Sequence, residues 1–298
     1  MKLLDGSGGS TKGVGIYNAW KVAVVENGYK PDVISGVSVS ALISVPFSLG
    51  KYQELERLFD KFTLDSIFTD SPINKKGKIT RKAAFRALLG YPSLGVMGSL
   101  EKMLRGIVNE SEFYIYQQDP KYPVCYILAI DFKTTKRVLI NLKEVETYED
   151  FIKYTVASAT IPVYAEGVRW RDQILYDGGV RDHSIGYLLC EKLPITECIS
   201  VWSRPKKPKQ GEQREELLSE ACWDDKNVIS VGERALEILQ LDNSEQDEDK
   251  LEDVCFHNRV KLKSIHLPIV LTSLYDTDRG RLNKLKQLAI EEARKVLK

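Results

Sequence analysis

The chain has 298 residues, 43% of them hydrophobic and 29% charged, and 43 basic residues balance 42 acidic ones for a formal charge of +1. That length buries a generous core in one large domain or two small ones, and the balanced charge gives no overall field to draw in nucleic acid or a membrane surface. No stretch of 18 apolar residues occurs, nor does a charged leader followed by an apolar segment, so we expect a chain made in the cytosol that touches membranes at most peripherally.

The five cysteines, Cys125, Cys190, Cys198, Cys222 and Cys255, are odd in number and lack metal-ligand spacing. Buried free thiols are expected, with no metal site and no cofactor.

Residues 2–4 read as a short strand, and 5–13 as a loop holding four glycines. Over 14–26, Tyr17, Trp20 and Val24 recur at helical spacing until Asn27-Gly28 stops the helix. Pro31 opens a second short strand over 32–35, and a helix follows over 39–49, closed by Gly50. Strand and helix alternating through such short connections imply parallel strands with helices packed on the sheet. Residues 51–122 carry a helical pattern broken by Gly, Pro and Ser, which suggests a helical cap. A strand pair over 124–130 and 137–142 is joined through 133–136 as a hairpin. A helix over 148–159, strands over 163–170 and 173–176, a helix over 184–192 and a strand over 198–202 complete the alternation. Beyond this, 204–209 reads as a basic, proline-broken connector and the acidic stretch 242–253 as a solvated loop or helix. A last strand is expected over 265–271 and a terminal amphipathic helix over 281–297. No internal repeat is evident. We expect a single domain over 1–298, with a core over about 1–203 and a peripheral helical layer over about 204–298.

Three constellations carry chemistry. Gly36-Val37-Ser38-Val39-Ser40 lies between a short apolar strand and a helix, where a tight turn lifts the Ser38 hydroxyl above the sheet. Gly36 relieves crowding on one side of that turn, and Ser40 stands where the usual motif has glycine. Serine also opens helices as an N-cap, so the pattern alone leaves both readings open. The loop Gly6-Ser7-Gly8-Gly9-Ser10-Thr11-Lys12-Gly13 can turn successive backbone N–H groups toward one anionic point at a helix start. Its spacing fails the dinucleotide fingerprint, because Ser10 occupies the third place, and it fails the P-loop pattern, because glycine follows Lys12. Lying beside the end of the next parallel strand, it fits an oxyanion hole better. Asp177-Gly178-Gly179 follows a short apolar strand and taken alone is a turn signal.

Together these three resemble the patatin-like phospholipases. That family has a glycine-rich loop, a GxSxG elbow some 25–30 residues later, and a DG(G/A) motif with a catalytic aspartate. The segments 31–35 and 157–162 match as well, and the resemblance spans about residues 2–203. It implies an α/β fold of three layers, α/β/α, with a mostly parallel central sheet and a helical cap. Its catalysis would run through a Ser-Asp dyad, Ser38 as nucleophile and Asp177 as base, by way of an acyl-enzyme. Backbone amides of Gly8, Gly9 and Ser10 would hold the oxyanion, and Lys12 and Gly13 would orient the loop or the substrate. Two departures stand out, Ser10 for a loop glycine and Ser40 for the elbow's last glycine. A third is His183, which falls where the family often has asparagine: it either braces the aspartate loop or assists proton transfer. The substrate implied is a lipid or other acyl ester. An esterase, thioesterase or acyltransferase on soluble compounds is also compatible, as is a non-catalytic scaffold keeping the fold. Within the expected cap, residues 75–86 are basic with interspersed apolar side chains, suited to anionic headgroups or to a solvated helix face.

Overall fold

A computed structural model describes residues 1–74, 79–206, 228–271, 273 and 275–298, with backbone alone at 228–233, 236 and 237. In chain order the elements are β1 (Lys2–Gly6), α1 (Gly13–Lys21), β2 (Val33–Val37), α2 (Val39–Ser48), α3 (Tyr52–Asp60), α4 (Leu64–Ile67), α5 (Arg81–Leu88), α6 (Gly98–Ile107), α7 (Glu110–Gln118), β3 (Val124–Asp131), β4 (Lys136–Asn141), α8 (Tyr148–Ser158), β5 (Val168–Trp170), β6 (Gln173–Asp177), α9 (Gly186–Lys192), β7 (Glu197–Trp202), α10 (Val228–His257), β8 (Lys261–His266) and α11 (Arg279–Leu297). The chain divides into two compact units, Met1–Ser40 with Arg181–Lys298, and Ala41–Val180.

In the first unit β2, β1, β7 and β8 lie side by side, all parallel. Alternation along β1 separates two helical layers, because successive side chains point to opposite faces. Asp5 points toward the start of α9, its carboxylate lying 3.0 Å from where a Cβ on Gly186 would be. Gly6 points the other way, where a Cβ would meet the Trp20 ring of α1 at 2.6 Å. Helix α11 packs on α1, and α10 packs on α9, so this unit is itself an α/β/α stack. Its centre is Asp5, which accepts hydrogen bonds from Ser35 Oγ at 2.6 Å and from Ser184 and Ser200 Oγ at 2.7 Å each. Complete burial raises the carboxyl's pKa against the opposing pull of these hydroxyls. One side chain thereby ties together β1, β2, β7 and the approach to α9.

The second unit builds an antiparallel sheet around β3, which pairs with β4 and β6, while β5 pairs with β6. Helix α8 packs on β3 and β6, and its Phe151 stacks on Phe113 of α7 with ring centroids 4.8 Å apart. Helices α3 to α7 occupy most of the segment expected to be a helical cap.

The α/β class therefore stands, and four local expectations change. The strand expected over 163–170 forms only at Val168–Trp170. Pro162 has no N–H for a ladder, and Val163 sits in the left-handed region at φ 72. The last strand lies earlier than expected, at Lys261–His266, because Pro268 ends extended pairing soon after it. The acidic stretch is a helix, part of α10, with one face buried rather than wholly solvated: Ser244, Glu245, Asp247, Glu248 and Leu251 are buried, whereas Asp242, Asp249, Glu252 and Asp253 are exposed. Arg204, expected in a connector, is buried as well. It pairs with Glu248 and donates from Nε to Ser244 Oγ at 2.8 Å. The rest of that connector, 207–209, lies outside the described residues, as do 75–78 of the basic segment and Cys222. Cys125, Cys190, Cys198 and Cys255 are buried free thiols.

Candidate active site

Three parallel strands of the first unit end on the same edge, and the residues just past β1, β2 and β7 form the site. Open parallel sheets bind ligands at the carboxyl ends of their strands. Past β2 comes Ser38, at φ 58, immediately before α2 begins at Val39. A left-handed serine costs about 1 kcal/mol relative to the ordinary helical region, and such strain gathers at functional positions. It is the geometry expected of a nucleophile elbow. Residue 40 shows why serine serves there in place of glycine. Its buried hydroxyl donates to the Ser7 carbonyl at 2.6 Å, fastening the elbow to the glycine loop.

Past β1 the loop runs from Ser7 into a tight turn at Ser10–Lys12 and then into α1. Close approach dictates its glycines. A Cβ on Gly9 would meet Ser203 Cβ at 2.6 Å, and one on Gly13 would overlap Val39, the residue after Ser38. Helix α1 can therefore start against the elbow only through Gly13. Gly36 lies in register with Gly6 across β1 and β2. Ser10, the departure from glycine, takes the left-handed conformation at φ 48.

The loop's amides are not all available. Ser7 N–H donates to the Val201 carbonyl at 3.0 Å, and Gly8 N–H donates to the His183 carbonyl at 2.8 Å. Of the three amides expected to hold an oxyanion, Gly8's is therefore committed within the fold, and Gly9 and Ser10 remain.

His183 sits in this unit with its ring on Gly8. A Cβ on Gly8 would lie 3.2 Å from His183 Cε1, 3.3 Å from its Nδ1 and 3.6 Å from Ser38 Cβ, so imidazole and nucleophile border one space. The ring is 5% exposed. Its Nε2 lies 3.1 Å from Ser203 Oγ, while Nδ1 is buried with no hydrogen-bond partner. Burial, with the positive charges of Lys12 and Arg204 adding to it, lowers its pKa to about 3. The imidazole is neutral throughout the range in which enzymes ordinarily work. Its backbone is held by Asp247 of α10, whose carboxylate accepts from the amides of His183 at 2.6 Å and Ser184 at 3.3 Å.

Asp177 belongs to the second unit, at the end of β6, and is 4% exposed. Its Oδ1 accepts from the Gly179 amide at 2.7 Å, and its own amide donates to the Thr160 carbonyl at 2.9 Å. The latter bond explains why the segment 157–162 accompanies the aspartate. Gly178 must be glycine because a Cβ there would lie 2.6 Å from the Leu128 carbonyl oxygen.

Sequence patterns missed Ser203, Asp247 and Asp5. Ser203 had one signal, a serine just past an apolar parallel strand. Asp247 had none that distinguished it from its acidic neighbours. Among the described residues, no group of His, Cys, Asp and Glu side chains is arranged to hold a metal, and no helix is long and apolar enough to cross a membrane.

The fold is similar to that in the crystal structure of VipD from Legionella pneumophila, with a TM-score of 0.52 and 11% sequence identity. The alignment covers 99% of this chain and 66% of that one, so the chain spans just under two thirds of VipD's length, and the likeness is one of fold. No curated protein matches by sequence. The family model described as patatin-like phospholipase matches residues 7–187, from the glycine loop through the elbow and Asp177 to the first turn of α9. With more than half of its length matched, the chain belongs to the patatin-like phospholipase family.

Proposed function

We propose that the chain is a serine acyl hydrolase that cleaves fatty-acyl esters of lipids with Ser38 as nucleophile and Asp177 as base. The observation that carries this reading is the left-handed Ser38 at a strand-to-helix elbow, bordering the glycine loop at Gly8. Membership of the family supports the choice of substrate class and of Asp177.

In this mechanism Ser38 Oγ bonds to the ester carbonyl carbon while Asp177 takes its proton. The carbonyl oxygen becomes an oxyanion facing the loop amides. Collapse breaks the bond to the alcohol, which leaves with the proton from Asp177. Water then attacks the acyl-enzyme, giving its proton to Asp177, and the fatty acid departs as Ser38 recovers the proton. The buried Asp177 keeps its orientation through the Gly179 amide, which donates to its Oδ1. Lys12, whose charge is felt at His183, would attract an anionic headgroup.

Assay of a fluorescent phospholipid beside a short-chain p-nitrophenyl ester tests the substrate class. Hydrolysis of the phospholipid is the expected result, whereas cleavage of the soluble ester alone would move the substrate away from lipids.

Contact with a lipid surface would be made by α5 and the turn after it. Phe85, Leu88, Leu89 and Tyr91 are 61%, 85%, 57% and 53% exposed, while within the helix only Ala83 is buried. Arg81, Lys82 and Arg86 flank them, and residues 79–93 contain no acidic side chain. Apolar tips beside basic residues suit an anionic interface. In the Ser38→Ala background, anionic vesicles should bind more tightly than zwitterionic ones. Leu88→Ser with Leu89→Ser should weaken binding roughly tenfold or more, given about 1.5–3 kcal/mol for each leucine fully buried. Equal co-sedimentation of the double variant and its parent would exclude this face.

A further inference from the structure

The oxyanion loop has an unusual deficit and an unusual neighbour, and both trace to one residue. The carbonyl of His183 takes the Gly8 amide out of the loop's set of donors. The imidazole of the same residue then borders the space in front of Gly8, which Ser38 Cβ borders too. Its Nδ1 is a polar atom buried without a partner. An unpaired buried polar group costs stability unless something met in function satisfies it.

We infer that His183 donates a hydrogen bond from Nδ1 to the oxyanion formed at Ser38, in place of the Gly8 amide. This rests on the hydrolase reading above.

In this role Nε2 accepts from the Ser203 hydroxyl 3.1 Å away, and the proton sits on Nδ1. Ser203 is itself fixed, its amide donating to Ser7 Oγ at 2.8 Å and its Cβ packing on Gly9. A ring kept neutral by burial and by the charges of Lys12 and Arg204 can act as a hydrogen-bond donor without first losing a proton. A neutral imidazole is the suitable partner for a developing oxyanion when acid chemistry is not wanted. No proton is transferred to or from His183 in this role. Ser203 faces the ring, Asp247 holds its backbone amide, and the charges of Lys12 and Arg204 act on it electrostatically. The role differs from both sequence-based expectations, since His183 acts on the oxyanion rather than as a brace for the aspartate loop or as a relay for the Ser38 proton.

The test compares wild type with His183→Leu, His183→Asn and Ser203→Ala, using p-nitrophenyl ester turnover and reversible inhibition by a trifluoromethyl ketone, which forms a tetrahedral adduct with a serine. Loss of one oxyanion donor lowers kcat by roughly 100- to 1000-fold. His183→Leu should lose that much in kcat with KM within a few-fold, and ketone affinity should fall by a similar factor. His183→Asn, which keeps an N–H donor but cannot carry a proton through neutral pH, should recover much of the loss. Ser203→Ala should fall between them. The acid limb of the rate profile should keep its midpoint in His183→Asn.

A parallel rise in KM without loss of kcat would overturn the assignment, as would full activity of His183→Leu. So would loss of an acid limb between pH 5 and 8 in His183→Asn, which would make the residue a proton carrier. Should His183→Leu fail to fold, the pair His183→Asn and Ser203→Ala still decides, because a bracing role predicts no selective change in ketone affinity. Wild type that neither turns over the ester nor binds the ketone would overturn the hydrolase reading and this one with it. An active wild type with an indifferent His183 would overturn this one alone.

Discussion

Ser38→Ala should abolish ester hydrolysis, lowering kcat by a factor of roughly 10⁴ to 10⁶, while the protein folds as before. Ser38 is almost wholly buried, and its left-handed backbone lies between the strand before it and the helix after it. The same geometry predicts a divergence between stability and activity. Ser38→Gly removes the Cβ that makes φ 58 unfavourable, and it should unfold at higher denaturant than Ser38→Ala by up to about 1 kcal/mol while being equally inactive. Urea titration of the two variants beside their turnover checks both halves. Retained turnover in either would remove Ser38 from the mechanism.

Asp177→Asn carries the second large effect. Asparagine keeps a carbonyl oxygen that can accept from the Gly179 amide, as Asp177 Oδ1 does at 2.7 Å, so the turn after β6 should persist. What is lost is the ability to take a proton. General-base catalysis contributes about 10²- to 10⁴-fold, and in a two-residue mechanism no third group shares the task, so turnover should fall to the upper end of that range. Thermal unfolding should move little. Rates within a few-fold of wild type would transfer the base to another residue.

What the sequence made legible follows the range of the interactions involved. β1, the glycine loop, α1, β2 and the elbow are specified by neighbours: glycines where backbones touch, apolar runs short enough for strands, helical spacing between them. The conformation at Ser38 follows from its place between β2 and α2. Legibility failed where the deciding partner is remote. Nothing near Gly8 announces that its amide is taken by a carbonyl 175 positions away. The acidic run in α10 looked solvated because composition cannot say which face of a helix turns inward, and here Asp247 holds the backbone that positions His183. β8 starts earlier than expected because its lysines, Lys261 and Lys263, alternate along the strand beside β7, breaking the apolar run that marked the more buried strands. Ser40 had been a departure from pattern, and its bond to the Ser7 carbonyl makes it a connection between elbow and loop.

The most direct measurement is intact-mass analysis after exposure of the folded protein to a fluorophosphonate probe, followed by peptide mapping. A single adduct on Ser38 is expected in wild type, none in Ser38→Ala, and slower labelling in Asp177→Asn. A folded wild type that takes no adduct, or takes it on another residue with Ser38 unmodified, would contradict the assignment of a serine nucleophile at this elbow.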